Sequence, residues 1–110
     1  MRVAAIVSDL MFFSRIDAAV ASAGGSLVRV DDPAALSPPS SIDLVLVDWS
    51  ERRPGWAPSL VAWREMRDAP RVILFGQHTD LAAHAEAKAH RLGPMWARSK
   101  LIVELSAIVR

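Results

Sequence analysis

The run Leu44, Val45, Leu46, Val47, apolar at every position and stopped by Asp48, constrains the fold more than any other stretch of the chain. A strand with one wet face alternates apolar and polar residues, whereas a strand apolar throughout has to be covered on both faces. The segment RVILF at 71–75 has the same character. Around these runs apolar residues recur at helical spacing. The chain therefore reads as strands separated by helices, which argues for a parallel sheet with helices on both sides.

The first strand is Met1 to Val7. From Met11 to Ala23 the residues Phe12, Ile16, Ala19, Val20 and Ala23 fall three and four apart, and Gly24-Gly25 ends that helix. The alternating SLVRV at 26–30 suits a strand nearer the edge. Asp31-Asp32-Pro33 resembles a helix start, yet only Ala34, Ala35 and Leu36 precede SPPSS, so the second helix is expected to be shortened to one turn or missing. The third strand, Asp43 to Val47, ends at Asp48. A helix from Pro58 to about Asp68 would carry Ala62, Trp63 and Met66 on one face, closed by Pro70. The fourth strand is 71–75, and an alanine-rich helix spans about Thr79 to Leu92. PMWAR at 94–98 is a short fifth strand. A last helix from about Ser99 sets Leu101, Ile102, Leu105, Ile108 and Val109 within an arc of ~120°.

Right-handed crossovers leave few ways to assemble five such units. The expected fold is an α/β doubly wound, five-stranded parallel sheet of flavodoxin-like order 2-1-3-4-5. In that order a ligand sits beyond the carboxyl ends of the strands, near the switch point between strands 1 and 3. The residues there are Ser8, Asp9, Asp48, Gly76 and Arg98.

Composition narrows the function. A chain of 110 residues is one domain, 1–110, and 52% apolar with 23% charged residues places it among globular proteins. Thirteen basic against twelve acidic residues give a net charge of +1 with no long run of either sign, which implies neither nucleic acid nor an anionic membrane. The absence of cysteine excludes disulfides and thiolate chemistry. Only about five apolar residues precede Ser8-Asp9, without a small-residue cleavage site, and no stretch of roughly 18 apolar residues occurs. The expected location is the cytoplasm.

The residues at the carboxyl ends are where the chain resembles the receiver domain of two-component response regulators, the CheY-like family, over nearly its whole length. The resemblance implies two acidic residues after strand 1, a phosphoacceptor Asp after strand 3, a Thr or Ser after strand 4, and a Lys before Pro after strand 5. Those positions fall on Ser8 and Asp9, on Asp48, on Gly76, and on Arg98-Ser99. The switch aromatic falls on Met95, with Trp96 adjacent.

The departures are chemical. Phosphoryl transfer to aspartate needs a divalent cation held by oxygen ligands and a fixed positive charge. Ser8 removes one carboxylate. Arg98 keeps the charge but suits bidentate pairing with Asp48 or Asp9. Gly76 has no hydroxyl to move onto a phosphoryl group. The resemblance therefore implies a degenerate, stand-alone pseudo-receiver: no enzyme and no cofactor, but an adaptor that binds another signalling protein in bacterial signal transduction.

Alternatives remain open at this stage. Asp48 could still accept a phosphoryl group with magnesium on Asp9 and Asp48, or the cleft could bind a small molecule as other flavodoxin-like domains do. Asp48 also reads as a turn residue and Asp9 as a helix cap. His78, His84 and His90, six apart, fall on different sides of a helix and make no metal set. No glycine-rich phosphate loop occurs. Trp63 and Trp96 are expected in or beside the core. Trp49 and Trp56, in the loop after strand 3, are expected to be partly exposed partner contacts. Val103 and Ala107 lie off the main stripe of the last helix, on a face suited to a partner or a second copy, so a homodimer is equally open.

Overall fold

The computed structural model describes residues Met1–Arg110. Its elements are β1 (Arg2–Ile6), α1 (Leu10–Ser22), β2 (Ser26–Val30), β3 (Leu44–Asp48), α2 (Trp56–Arg64), β4 (Arg71–Gly76), α3 (Leu81–Ala89), β5 (Met95–Ala97) and α4 (Arg98–Val109). The five parallel strands lie in the order β2-β1-β3-β4-β5, as the apolar runs require. All five residues of β3 are buried, and it pairs with β1 through Ile6 beside Val47 and with β4 through Asp48 beside Phe75.

The side chains of each strand divide between two cores. On one face Val3, Ala5, Leu46 and Phe75 pack against α1 and α4 through Phe12, Ile16, Val20, Leu101, Leu105 and Val109. On the other, Ala4, Ile6, Val45, Val47 and Leu74 pack against α2 and α3 through Leu60, Trp63, Ala83 and Ala87. No helix is long and apolar enough to cross a membrane.

Between β2 and β3 there is no full helix. Two single 3-10 turns, Pro33–Ala35 and Pro39–Ser41, stand in its place, because the prolines interrupt any longer helix. A helix missing from that layer would leave the second core open. Trp56 and Trp63 reach across to the shortened segment, and Trp49 packs under α3 in the same core. Trp49 is 0% exposed and its indole N–H donates to the Ala83 carbonyl at 3.0 Å. Trp56 and Trp63, each 5% exposed, donate to Asp32 Oδ2 at 3.2 Å and to the Ser37 carbonyl at 3.1 Å.

This overturns the expectation that Trp49 and Trp56 are exposed partner contacts: both are core residues, and their polar N–H groups are satisfied inside the fold. Trp63 is buried as expected, and Trp96 lies half-buried on β5.

Other boundaries shift for local reasons. β3 begins at Leu44 because Asp43 turns aside to receive the Arg2 guanidinium and backbone N–H; the Arg2 side chain first, then its backbone N–H, hold this carboxyl down to about 2. α2 starts at Trp56, after Gly55 in a left-handed conformation with φ 93°, and ends at Arg64 rather than near Asp68. Its buried face is therefore Ala57, Leu60 and Trp63, while Ala62 and Met66 face solvent. α3 is shorter than Thr79–Leu92 because the Asp80 side chain caps it, accepting from the Ala83 N–H at 3.0 Å.

Candidate functional site at the carboxyl ends of the strands

Each site residue is delivered by the end of a strand. Ser8 and Asp9 follow β1, Asp48 is the last residue of β3, Gly76 closes β4, and Arg98 begins α4 directly after β5. The register that aligns Ile6 with Val47 and Asp48 with Phe75 brings these ends level.

Arg98 is the centre of the arrangement. Its guanidinium donates one N–H to Asp9 Oδ2 at 3.2 Å and another to Asp48 Oδ2 at 2.8 Å, and lies over the Phe12 ring at 4.9 Å from the centroid. Phe12 in turn packs on Phe75, centroids 5.3 Å apart. Asp9 does two things at once. Its Oδ1 accepts the Phe12 N–H at 3.1 Å, capping α1, while Oδ2 receives Arg98. The backbone N–H of Phe12 and then Arg98 hold its carboxyl below the ordinary value.

The Asp48 side chain is 1% exposed. Burial pushes its carboxyl above the ordinary value, opposed by Arg98 and reinforced by the nearby charge of Glu51. Its Oδ1 has no hydrogen-bond partner, nor does Arg98 Nε. Asp9, Asp48 and Arg98 are thus brought together as their positions imply. Ser8 is not part of that triad: its hydroxyl is hydrogen-bonded to the Glu51 carboxylate.

Position 76 explains itself through Ser50. A Cβ on Gly76 would overlap the Ser50 hydroxyl oxygen and stand 3.1 Å from Met95 Sδ. Ser50 Oγ accepts the Gln77 N–H at 2.8 Å. A hydroxyl thus lies beside β4 after all, but it comes from the loop after β3 and is fastened to the chain following β4. Met95, at the switch-aromatic position, is 5% exposed and packed inward. Gly76→Ser is accordingly expected to destabilise the domain by about 1 to 3 kcal/mol through overpacking. Ser50→Ala in the same chain should recover part of that loss, a coupling that urea denaturation of the four proteins in the cycle measures.

The receiver resemblance implies a magnesium ion at this place, and the donor set differs from the one that resemblance implies. The space that two carboxylates would share with a cation is spanned by the Arg98 guanidinium, Ser8 replaces a third carboxylate, and Glu51 is engaged by Ser8. No group of three or more histidine, aspartate or glutamate residues has metal-binding geometry. His84 is turned to the His78 carbonyl, 3.0 Å from its Nε2.

Solved receivers superpose on this chain over almost its full length. This is the fold of a response-regulator receiver. A response regulator from Burkholderia multivorans matches with a TM-score of 0.71 at 18% identity, covering 99% of this chain and 94% of its own. A receiver domain from Clostridium thermocellum matches with a TM-score of 0.73 at 16% identity, over 98% and 90%. The signal receiver domain of the putative response regulator NarL from Mycobacterium tuberculosis matches with a TM-score of 0.67 at 24% identity, over 98% and 91%. No protein-family model and no curated protein matches the chain.

Within the receiver fold, three residues that position alone does not single out complete the pocket: Ser50, Glu51 and Phe12. Ser50 and Glu51 follow Asp48 by two and three residues, a weak signal in a loop. The glycine at 76, opposite Ser50, is the sequence mark that something else fills that space. Val103, 78% exposed, and Ala107 lie on the outer side of α4.

Proposed function

We propose that this protein is a pseudo-receiver: a receiver-fold interaction module of bacterial signal transduction that binds another signalling protein without using phosphorylation as its switch. The observation that carries the reading is the Arg98 guanidinium bridging Asp9 and Asp48. Clustered carboxylates such as Asp9 and Asp48 would otherwise need a bound cation to balance them, and here a fixed side-chain cation balances them internally. The Ser50 hydroxyl, already bonded to Gln77, supports the same reading, because it joins the two loops that a moving hydroxyl at position 76 would otherwise control. The exposed outer side of α4, with Val103 and Ala107, is the surface on this reading that meets a protein partner or a second copy.

One observation favours the phosphoaccepting alternative: Asp48 Oδ1 has a free lone pair. Against it stands the near-complete burial of that side chain. The small-molecule alternative has two cavities at the carboxyl ends, one of about 270 Å³ beside Ser8, Val30, Asp31, Glu51 and Trp56 and one of about 350 Å³ beside Gly76, Thr79, Ala97 and Arg98, at the lower end of the ordinary range for ligand pockets.

Incubation with acetyl phosphate and magnesium is expected to leave the intact mass unchanged. A stoichiometric phosphoryl adduct that disappears in Asp48→Asn would replace this reading with the phosphoaccepting one, and a small molecule that co-purifies at one equivalent would replace it with the third.

A further inference from the structure

At the opposite end of the sheet from Asp48 lies a second feature that the receiver reading leaves unused. A groove of about 520 Å³ runs beside the edge strand β5, between the chain leading into β4 and the chain leading into β5. Its walls carry three guanidinium groups, Arg64 at the end of α2, Arg71 at the start of β4 and Arg91 after α3. Its floor is apolar: Val72, Leu92, Pro94 and Trp96.

The charges are unbalanced here. The ion pairs of the molecule join Arg2, Arg29, Arg52 and Arg98 to carboxylates, and none involves Arg64, Arg71 or Arg91. Asp68 and Glu65, in the adjoining segment, pair with none of the three. Arg71 also approaches the Trp96 ring, at 5.5 Å from its centroid, and one further cation, the Lys100 ammonium, stands 4.5 Å from it. A nearly neutral chain has therefore gathered four positive side chains, Arg64, Arg71, Arg91 and Lys100, around one groove and the half-buried aromatic of its edge strand.

The backbone points the same way. The two non-glycine residues with positive φ, Asp68 at 62° and Arg91 at 54°, lie in the two segments that frame the groove. Arg91 occupies the left-handed position after α3, where helices commonly end on glycine. A side chain there carries a steric cost, and in return a guanidinium stands at the rim.

We infer that this groove binds an acidic peptide segment of a partner protein, with carboxylates on Arg64, Arg71 and Arg91 and an apolar side chain against Trp96. Arginine forks match carboxylates in two-point contacts. The apolar floor and the volume, large enough for several side chains, favour a peptide over a bare polyanion, which needs charge and no floor. This inference does not depend on the reading of the Asp48 pocket, since neither shares a residue with the other.

The test is fluorescence anisotropy of a short fluorescein-labelled peptide of alternating Asp, Glu and Leu, added to the intact chain. Binding is expected to be saturable and to weaken with added salt. It should fall about tenfold for each of Arg64→Gln, Arg71→Gln and Arg91→Gly, the scale of one charge-assisted contact. Arg91→Gly suits the left-handed backbone and should fold at least as well as the parent, so its loss of affinity reports charge and not misfolding. The inference is overturned if the Asn, Gln and Leu version of the peptide binds equally well, or if the three variants bind unchanged. Tighter binding of an RNA oligonucleotide or of phosphatidylserine vesicles than of the peptide would also overturn it.

Discussion

Trp49→Ala is expected to be the most damaging single tryptophan truncation in the chain, removing a large part of the folding stability. Trp49 is fully buried, under α3, with its indole N–H bonded to the Ala83 carbonyl and the Arg52 guanidinium 5.8 Å from its ring. Truncating a buried aromatic to alanine costs about 3 to 5 kcal/mol. The lost indole hydrogen bond adds roughly 1 kcal/mol. Since a domain of this kind is stable by only about 5 to 15 kcal/mol, the melting temperature should fall on the order of 20 °C. Urea denaturation followed by far-UV circular dichroism would rank the four alanine variants. Trp49 should come first, Trp56 and Trp63 next, and half-buried Trp96 last. Trp49→Phe keeps most of the volume and should separate the hydrogen bond from the cavity. If Trp49→Ala proves cheaper than Trp96→Ala, the tryptophan does not occupy the core position described here.

The same residue shows where sequence reading stops. Its neighbours on the amino-terminal side, Leu44 to Val47, are legible because burial on both faces leaves a continuous apolar run, and from that run follow the parallel sheet, the strand order and the level of Asp48. Trp49 itself lies one residue beyond the strand, in a segment rich in charge and proline, where position alone argues for solvent. What buries it is α3, which lies over it and whose Ala83 carbonyl takes its indole N–H, while Trp56 and Trp63 reach the segment that the prolines at 33, 38 and 39 reduce to two short turns. The missing helix and the loop tryptophans are each visible in the sequence. Which of them meet depends on distances between segments, which spacing does not encode. Gly76 and Ser50 repeat the lesson on a smaller scale, since a glycine in place of a hydroxyl reads as a loss until the overlapping hydroxyl is seen to arrive from another loop.

Arg98→Ala should have the second large effect, and its dependence on pH distinguishes an ion-pair role from mere packing. Without Arg98, Asp48 remains at 1% exposure with no cation to balance it. Breaking a buried pair in this way costs about 3 to 5 kcal/mol near neutral pH. Asp48 already titrates above the ordinary aspartate value because burial disfavours its charged form, and Arg98 opposes that shift. Removing Arg98 raises the folded-state value further. A carboxyl whose folded value lies above its unfolded value binds more protons when folded, so stability falls as pH rises through that interval. Below the ordinary aspartate range the carboxyl is protonated in both states, and the penalty for losing its partner disappears.

Asp9 acts in the same direction on the comparison. The Phe12 N–H and then Arg98 lower its value, so it contributes stability above the ordinary range that is lost as pH falls, and the variant lacks the Arg98 share of it. The difference in unfolding free energy between the parent and Arg98→Ala should therefore be largest near pH 7 and shrink toward about pH 3.5. What remains there is the Arg98 share of Asp9, which is lost only as pH falls through that carboxyl's lowered value, and the contact of the guanidinium with Phe12, about 0.5 to 2 kcal/mol. Asp48→Asn added to Arg98→Ala should restore much of the neutral-pH loss, because an amide removes the uncompensated charge while keeping the shape. A penalty equal at both pH values, or one that Asp48→Asn leaves untouched, would mean that Arg98 serves the fold only through its packing on Phe12. The internal cation on which the pseudo-receiver reading rests would then lose its support.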